Sequence, residues 1–322
     1  MITDTGTVLP LSINYNSAKE LRLFLEERGM GMRKKYGQNF LIDPNVRSKL
    51  INALEIPGGL EVWEIGPGLG AMTGGLLDSG ARVTAFEIDP AFVAALRELY
   101  GENPAFNLIE GDVFKTWPEA ASGNVPKKGS ELYLLGNLPY NIAAALLADF
   151  IEKGMLFKRM VVTVQREVAL RMYAGPGSAD YSSFSVLCAS VYKVIPLLMI
   201  KSSCFYPAPR VDSQGVCLEL LTEQEPLPRF LYPLVRCLFS ARRKTLKNTL
   251  SAFAASDIII KELSPGKGET RPNKRTCSAA AAKIAMEALK RTGISGDCRA
   301  EKLGIPEFAA LASCLEEIVL NE

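Results

Sequence analysis

Apolar residues recur along this chain with two periods. Short runs of strand length occupy residues 61–65, 82–87, 106–109, 131–135 and 160–164, and between them apolar residues fall at helical spacing, as in residues 90–100 and 142–153. That alternation predicts βαβ units, a parallel sheet with helices on both faces. Two further strand candidates, residues 190–195 and 215–221, are near enough to form an antiparallel pair at one edge, giving a seven-stranded, mostly parallel, Rossmann-like α/β sheet. Ahead of it, Ala18, Leu21, Phe24 and Leu25 have the spacing of an amphipathic helix over residues 18–28, which leads into the basic stretch "RGMGMRKKYGQNF".

The segment "LTEQEPLPR" joins charge to two prolines and marks a boundary near residues 223–228. Beyond it only helical patterns remain, at residues 230–239, 242–255, 279–289 and 306–318. The division expected is therefore a larger α/β domain over residues 1–224 and a smaller all-α domain over residues 225–322. "SPGKGETRPNKRT" reads as an exposed basic loop.

Composition narrows the chemistry. With 322 residues, 48% hydrophobic and 22% charged, the chain is long enough to bury a proper core, and its longest apolar stretches, such as residues 194–200, are too short to cross a bilayer. The start, "MITDTGTVLP", lacks the basic region and apolar core of a secretory signal, so a cytoplasmic protein without a membrane segment is expected. The seven cysteines are scattered singly, which signals neither a zinc knuckle nor a disulfide framework, and no metal site is expected. There is no histidine. That removes the usual neutral-pH proton shuttle and the commonest metal ligand. Net charge is only +2, so any affinity for nucleic acid must come from local patches.

Four features then fall at the carboxyl ends of successive strands, the rim where open α/β sheets bind ligands. "WEIGPGLGAMT" places Gly66, Gly68 and Gly70 in a tight turn before a helix, where the backbone can approach a ligand closely. Glu87, ending the next strand, is at the distance suited to ribose hydroxyls, so the pattern supports either an adenine dinucleotide or another adenosine-bearing cofactor. Asp112 in "IEGDVF" can accept the exocyclic amine of an adenine ring. "LLGNLPYNIA" closes the series with a carboxamide and an aromatic ring at a strand end, where neither adds to a core.

That last stretch has a chemical use. An adenine N6 amine is a poor nucleophile because its lone pair is delocalised into the ring. Acceptors that hold the amine hydrogens draw the nitrogen toward tetrahedral geometry and free the lone pair to attack an electrophilic methyl. The Asn137 side-chain oxygen and the Leu138 carbonyl are candidates for those acceptors, with Pro139 fixing the turn and Tyr140 stacking on the base. Phe205, in a proline-stiffened "SSCFYPAPRVDS", is the candidate for the opposite wall, with Tyr206 its rival.

"KKYGQNFLID", "EIGPGLG", "FEIDP", "GDVF", "GNLPYNI", "CFYPAPRVDS" and "FSARRKTLKNTL" resemble, in order, the motifs of the small-subunit ribosomal RNA adenine N6,N6-dimethyltransferases. The likeness runs from about Arg33 to the C-terminal "EKLGIPEFAALA". It implies a class I methyltransferase fold, S-adenosylmethionine as methyl donor, and dimethylation of two adjacent adenines near the 3′ end of the small-subunit (16S) rRNA, presented by an immature ribosomal subunit; a monomer is expected. It also implies cofactor contacts at Gln38, Asn39, Leu41, Gly66, Gly68, Glu87, Asp112 and Asn137, and target-base contacts at Asn137, Leu138, Tyr140 and Phe205. An RNA-binding surface would draw on Arg33, Lys34 and Lys35, and on Arg242, Arg243, Lys244 and Lys247, where helical spacing would put Arg243 and Lys247 on one face of the C-terminal RNA-recognition domain. Three rivals stay open: a large-subunit rRNA adenine methylase, a non-catalytic assembly or transcription factor that kept the cofactor fold, and a nicotinamide dehydrogenase.

Overall fold

The computed structural model describes residues 13–33, 36–123, 131–222, 226–259 and 274–320. The chain divides into two compact units, Met1–Ala169 with Lys193–Leu220, and Leu170–Tyr192 with Leu221–Glu322. The expected division at residues 224 and 225 is a single cut in sequence. The last change of unit falls a few residues earlier than that cut, and Leu170–Tyr192 groups with the C-terminal residues.

The first unit is built on a seven-stranded sheet. Its strands are β2 (Glu61–Ile65), β3 (Arg82–Glu87), β4 (Phe106–Glu110), β5 (Leu132–Asn137), β6 (Arg159–Gln165), β7 (Tyr192–Ile200) and β9 (Ser213–Leu220). They lie in the order β4-β3-β2-β5-β6-β9-β7. β2 pairs in parallel with β3 on one side and with β5 on the other, so the strand order reverses around β2 and opens a crevice at its carboxyl end. β9 runs antiparallel to β6 and lies between it and the edge strand β7. A separate two-stranded sheet joins β1 (Phe40–Leu41) to β8 (Phe205–Tyr206).

Helices α1 (Ala18–Glu27), α2 (Pro44–Ala53), α3 (Thr73–Asp78), α4 (Pro90–Tyr100), α5 (Val113–Gly123) and α6 (Ala143–Glu152) belong to this unit. Two of them start alike. Asp43 and Asp89 accept hydrogen bonds from first-turn amides, and a proline follows each at the position whose N–H has no partner in a helix. The core under the sheet includes Leu50, Leu76, Val83, Leu135, Val161 and Cys217.

The start of one expected strand is corrected: of residues 190–195, the first two close helix α8 (Ser183–Val191) and the rest lie in β7, which begins at Tyr192. Val186, Leu187, Cys188, Ser190 and Val191 are all buried, so no polar face marks the helical period, and periodicity cannot tell such a run from a strand.

Helix α7 (Arg166–Tyr173) carries the chain out of the first unit. The second unit contains α8, α9 (Leu231–Ser240), α10 (Leu246–Ala254), α11 (Lys274–Thr292) and α12 (Ile305–Leu320) around a core of its own, centred on Leu234, Leu250, Phe253, Ala285, Phe308 and Leu315. Among the described residues no helix is long and apolar enough to cross a membrane.

Candidate functional site

The crevice at the carboxyl end of β2 is lined on one side by the glycine turn. Gly66, Gly68 and Gly70 all have positive φ, a region that a side chain disfavours. Gly68 is further constrained, since a Cβ there would lie 3.0 Å from Cε1 of Phe40. The Gly68 N–H donates to Glu87 Oε2 at 3.0 Å, while Glu87 Oε1 accepts from the N–H groups of Ile88 and Asp89 at 2.9 and 2.8 Å. Burial pushes the Glu87 carboxyl up to about 7 even though these three donors favour its charged form. Under the turn, Glu64 is only 1% exposed and accepts from Thr73 Oγ1 at 2.6 Å. Burial, and then the nearby Glu87 carboxylate, raise it to about 7 as well, against the pull of the Thr73 hydroxyl. Two phenols brace the turn, Tyr15 donating to Leu69 O at 2.8 Å and Tyr100 to Gly70 O at 3.2 Å.

Residues 36–41 lie between this turn and the next. Gly37, at φ +61°, is packed so closely that a Cβ would come 3.2 Å from Asn141 Oδ1 and 3.5 Å from Pro139 Cβ. The Gln38 carboxamide is used at both ends, accepting from the Arg33 N–H at 2.8 Å and donating to Asp89 Oδ2 at 2.9 Å. Asp89 is 1% exposed, and the Arg33 guanidinium approaches it at 3.8 Å. Leu41 buries its side chain, and its carbonyl accepts from the buried Arg47 at 2.7 Å. Arg47 also reaches Asn16, while Leu21 and Leu25 of α1 pack with Phe40, Leu69 and Phe92. The segment preceding Arg33 thus supports the first motif from behind.

On the other side of the crevice is the end of β5. Gly136 has no room for a Cβ, which would meet Leu138 Cδ2 at 2.6 Å, so Leu138 folds back and is buried. The Leu138 N–H donates to Thr163 O at 3.2 Å. The N–H groups of Ile142 and Ala143 both turn to Pro139 O, so the turn closes one residue beyond the Leu138 carbonyl. Asn137 Nδ2 donates to Asn39 O at 2.8 Å. A carbonyl partner requires the amide end of the side chain, which fixes the carboxamide and leaves Oδ1 as its acceptor. Tyr140 is half-buried, with its hydroxyl 2.5 Å from Ser213 Oγ, and burial raises its phenol above the ordinary range.

Seven of the eight expected cofactor residues, all but Asp112, line one cavity of about 70 Å³. Asp112 follows β4, two residues beyond its last residue Glu110, and uses Oδ1 to accept from the Phe114 N–H at 3.1 Å. The residues fit S-adenosylmethionine. Glu87 offers carboxylate acceptors suited to a ribose diol, and a Cβ at Gly66 would find only Pro139 Cδ, at 3.9 Å, which leaves that side of the cradle open.

Phe205, expected as the opposite wall of the base pocket, is 3% exposed and packs in the core with Leu41, Leu50 and Cys217. Strand alternation is the reason: Phe205 pairs with Leu41 and shares its core, while Tyr206 pairs with Phe40 and packs with the Leu69 and Phe92 cluster. Lys34 and Lys35 lie outside the described residues, as does most of the "SPGKGETRPNKRT" loop. Arg242, Arg243 and Lys244 are exposed, but they form a turn ahead of α10, which begins at Leu246 after an extended Thr245. The shared helical face expected for Arg243 and Lys247 is therefore corrected. Arg242 approaches Glu301 at 3.7 Å and Lys247 pairs with Asp297 at 2.7 Å.

Sequence reasoning missed Asp89 and Ser213. The "DP" pair in "FEIDP" is a helix-start signal that could have found the first, because a capping aspartate has a spare oxygen for a neighbour. Ser213 ends the quoted motif "CFYPAPRVDS", but only the aromatic part of that motif was read for a role.

The model of the ribosomal RNA adenine dimethylase family matches residues 29–264. A ribosomal RNA small subunit methyltransferase A of Treponema pallidum (strain Nichols) is 42% identical over 311 residues, spanning 95% of this chain and 99% of the relative. A protein of the same name from Borreliella afzelii is 42% identical over 258 residues, 80% and 88% of the two chains. Among solved structures, a dimethyladenosine transferase from Plasmodium falciparum superposes with a TM-score of 0.65 at 25% identity, covering 85% of this chain and 96% of its own. The 23S rRNA methyltransferase ErmE gives a TM-score of 0.57 at 20% identity, covering 86% and 99%, a likeness of fold.

Proposed function

The chain belongs to the ribosomal RNA adenine dimethylase family, and from that premise we propose how its residues divide the work of the reaction. The protein is an S-adenosylmethionine-dependent enzyme that dimethylates adenines of 16S rRNA. The relatives matched over nearly their whole length are small-subunit enzymes, which sets aside the large-subunit reading.

S-adenosylmethionine supplies, when bound, a methyl group on a positively charged sulfur that departs as a neutral thioether. Gly66 and Gly68 would let the backbone approach it, Glu87 would accept from its ribose hydroxyls, and Asp112 would accept from its adenine amine through the oxygen not used by Phe114. At the target, Asn137 Oδ1 and the Leu138 carbonyl would accept hydrogen bonds from the adenine N6 amine, which has two N–H groups in the first transfer and one in the second. So held, the nitrogen lone pair would be free for the methyl group that the bound cofactor would supply, and the proton displaced from nitrogen would pass to water. Neither acceptor titrates near neutral pH, so the lack of histidine is no obstacle. Tyr140 stacks on the base and holds it while the acceptors work. Phe205 supports the pocket from within the core.

The observation that supports this reading is the Asn137 Nδ2 bond to Asn39 O, which commits the amide end of the carboxamide and leaves Oδ1 as an acceptor. The RNA partner is the rRNA of an immature small subunit, its two target adenines adjacent and near the 3′ end. Arg33, Lys34 and Lys35, and the Arg242, Arg243, Lys244 and Lys247 cluster of the helical domain, hold its phosphates. The enzyme acts as a cytoplasmic monomer. Tritiated-methyl transfer to undermodified small subunits, followed by primer extension, tests the assignment. Two adjacent stops near the 3′ end of 16S rRNA are expected, and methyl groups found only in 23S rRNA would overturn it.

A further inference from the structure

We propose that Ser213 is a positioning residue for the methyl transfer: its buried hydroxyl ties down the free end of the Tyr140 ring and so sets the plane on which the target adenine stacks. The proposal rests on the reading of Tyr140 as the stacking residue.

Tyr140 belongs to the turn between β5 and α6, a segment without strand pairing of its own. A tyrosine ring held only at its Cβ can tilt, and a stacked base would tilt with it. A single strong bond at the far end of the ring removes that freedom. Tyr140 Oη and Ser213 Oγ are 2.5 Å apart, a short hydroxyl–hydroxyl contact.

Ser213 is itself a fixed point. It is fully buried at the start of β9, where it pairs with Gln165 of β6. The residue before it is anchored twice, Asp212 O accepting from the Arg166 N–H at 3.1 Å and Asp212 Oδ1 from the Ser202 N–H at 3.0 Å. The hydroxyl is thus fastened to the sheet and presented to the catalytic turn. Alternation along β6 and β9 also puts Ser213 on the same face of the sheet as Thr163 and Asn137, because Thr163 is two residues from Gln165 and pairs with Asn137. The residue that would orient the ring therefore shares a face with the residue that would accept the amine. The "VDS" end of "CFYPAPRVDS" gains a role that the aromatic part of the motif does not supply.

The test uses the full-length protein and an RNA hairpin with 2-aminopurine at the target adenine, whose fluorescence is quenched on stacking. Single-turnover methyl transfer to undermodified small subunits is measured in parallel. Tyr140→Phe and Ser213→Ala each remove the bond and keep the ring. Each is expected to reduce the quench and to slow transfer about three- to tenfold, the range for one hydrogen bond, with S-adenosylmethionine affinity by calorimetry unchanged. The double variant is expected to be no slower than the singles. If Ser213→Ala folds poorly, Tyr140→Phe reports the same loss from the half-buried side. A lowered melting temperature with quench and rate intact would overturn the proposal, making the bond structural only. Tyr140→Ala separates the two ideas: if it too leaves the quench intact, the stacking reading fails first and the proposal falls with it.

Discussion

The two sides of the crevice are built on opposite plans. On the cofactor side nearly every polar group is already engaged. Glu87 holds three backbone N–H groups, Gln38 spans Arg33 and Asp89, and two tyrosines cap the carbonyls of the glycine turn. On the target side the bonds within the protein stop short of the working atoms. The turn closes on Pro139 O and leaves the Leu138 carbonyl, and Asn137 commits its amide end while its oxygen remains an acceptor. The cofactor side pays its ordering cost during folding, which gives a rigid frame. The target side keeps acceptors ready for a guest that must bring its own donors.

If that contrast is right, the largest effect should come from the acceptor. Asn137→Ala is expected to lower single-turnover methyl transfer by about 10²-fold or more, the scale for removing a preorganised polar contact from a reaction centre. RNA binding, measured by filter retention at fixed salt, should stay within about twofold, because no phosphate contact is lost. Equal loss of binding and transfer would erase the distinction between the two sides. Next in size is Tyr140→Ala. Base–aromatic stacking is worth roughly 1–3 kcal/mol, so transfer should slow by about five- to 150-fold while S-adenosylmethionine affinity holds. A fall in cofactor affinity of the same size would place Tyr140 on the wrong side.

The rigid side makes a prediction of its own about pH. Glu64 and Glu87 both stand near 7 in the folded protein, against an ordinary value of 4.5. Between those values the folded chain binds more protons than the unfolded one, so their contribution to stability is complete below about 4.5 and is lost as pH rises to about 7. The melting temperature should therefore fall through this window, and Glu64→Gln should flatten the fall, as read by calorimetry from pH 5 to 8. A melting temperature that rises across the window in the wild type, with no change of slope in the variant, would refute the burial argument.

How much of this could be read in advance also differs between the sides. The strand ends were legible because β2 and β3 alternate with helices at regular spacing, and the observed bounds of both, Glu61–Ile65 and Arg82–Glu87, are those read from the apolar pattern. The glycine turn was legible because positive φ demands glycine. What the sequence hid is contact at a distance. Gln38 and Asp89 are 51 residues apart, Asn39 and Asn137 are 98 apart, and Tyr140 and Ser213 are 73 apart. No period or local motif encodes such pairings. They exist because the sheet brings separate loops to one rim. The start of α10 was hidden for another reason: "ARRKTLKN" carries good helix formers before Thr245, and only the extended backbone at Thr245 moves the first turn to Leu246.

The smallest expected effect probes whether every unused polar atom on the target side awaits a guest. Thr163 lies beside Asn137 in the β5–β6 pairing, is 1% exposed, and its Oγ1 has no hydrogen-bond partner among the described residues. The Asn137 side chain is half-buried at the rim, whereas the Thr163 side chain is enclosed within the sheet. Its hydroxyl is then a plain burial cost. Valine keeps the branched shape that suits the strand and removes the unsatisfied oxygen, so Thr163→Val is expected to raise stability by about 0.5–1 kcal/mol in urea denaturation, with methyl transfer unchanged. A loss of transfer at unchanged or higher stability would mean that the hydroxyl joins the reaction after the crevice opens, and the target side would then hold one more working atom than Asn137 and Leu138 supply.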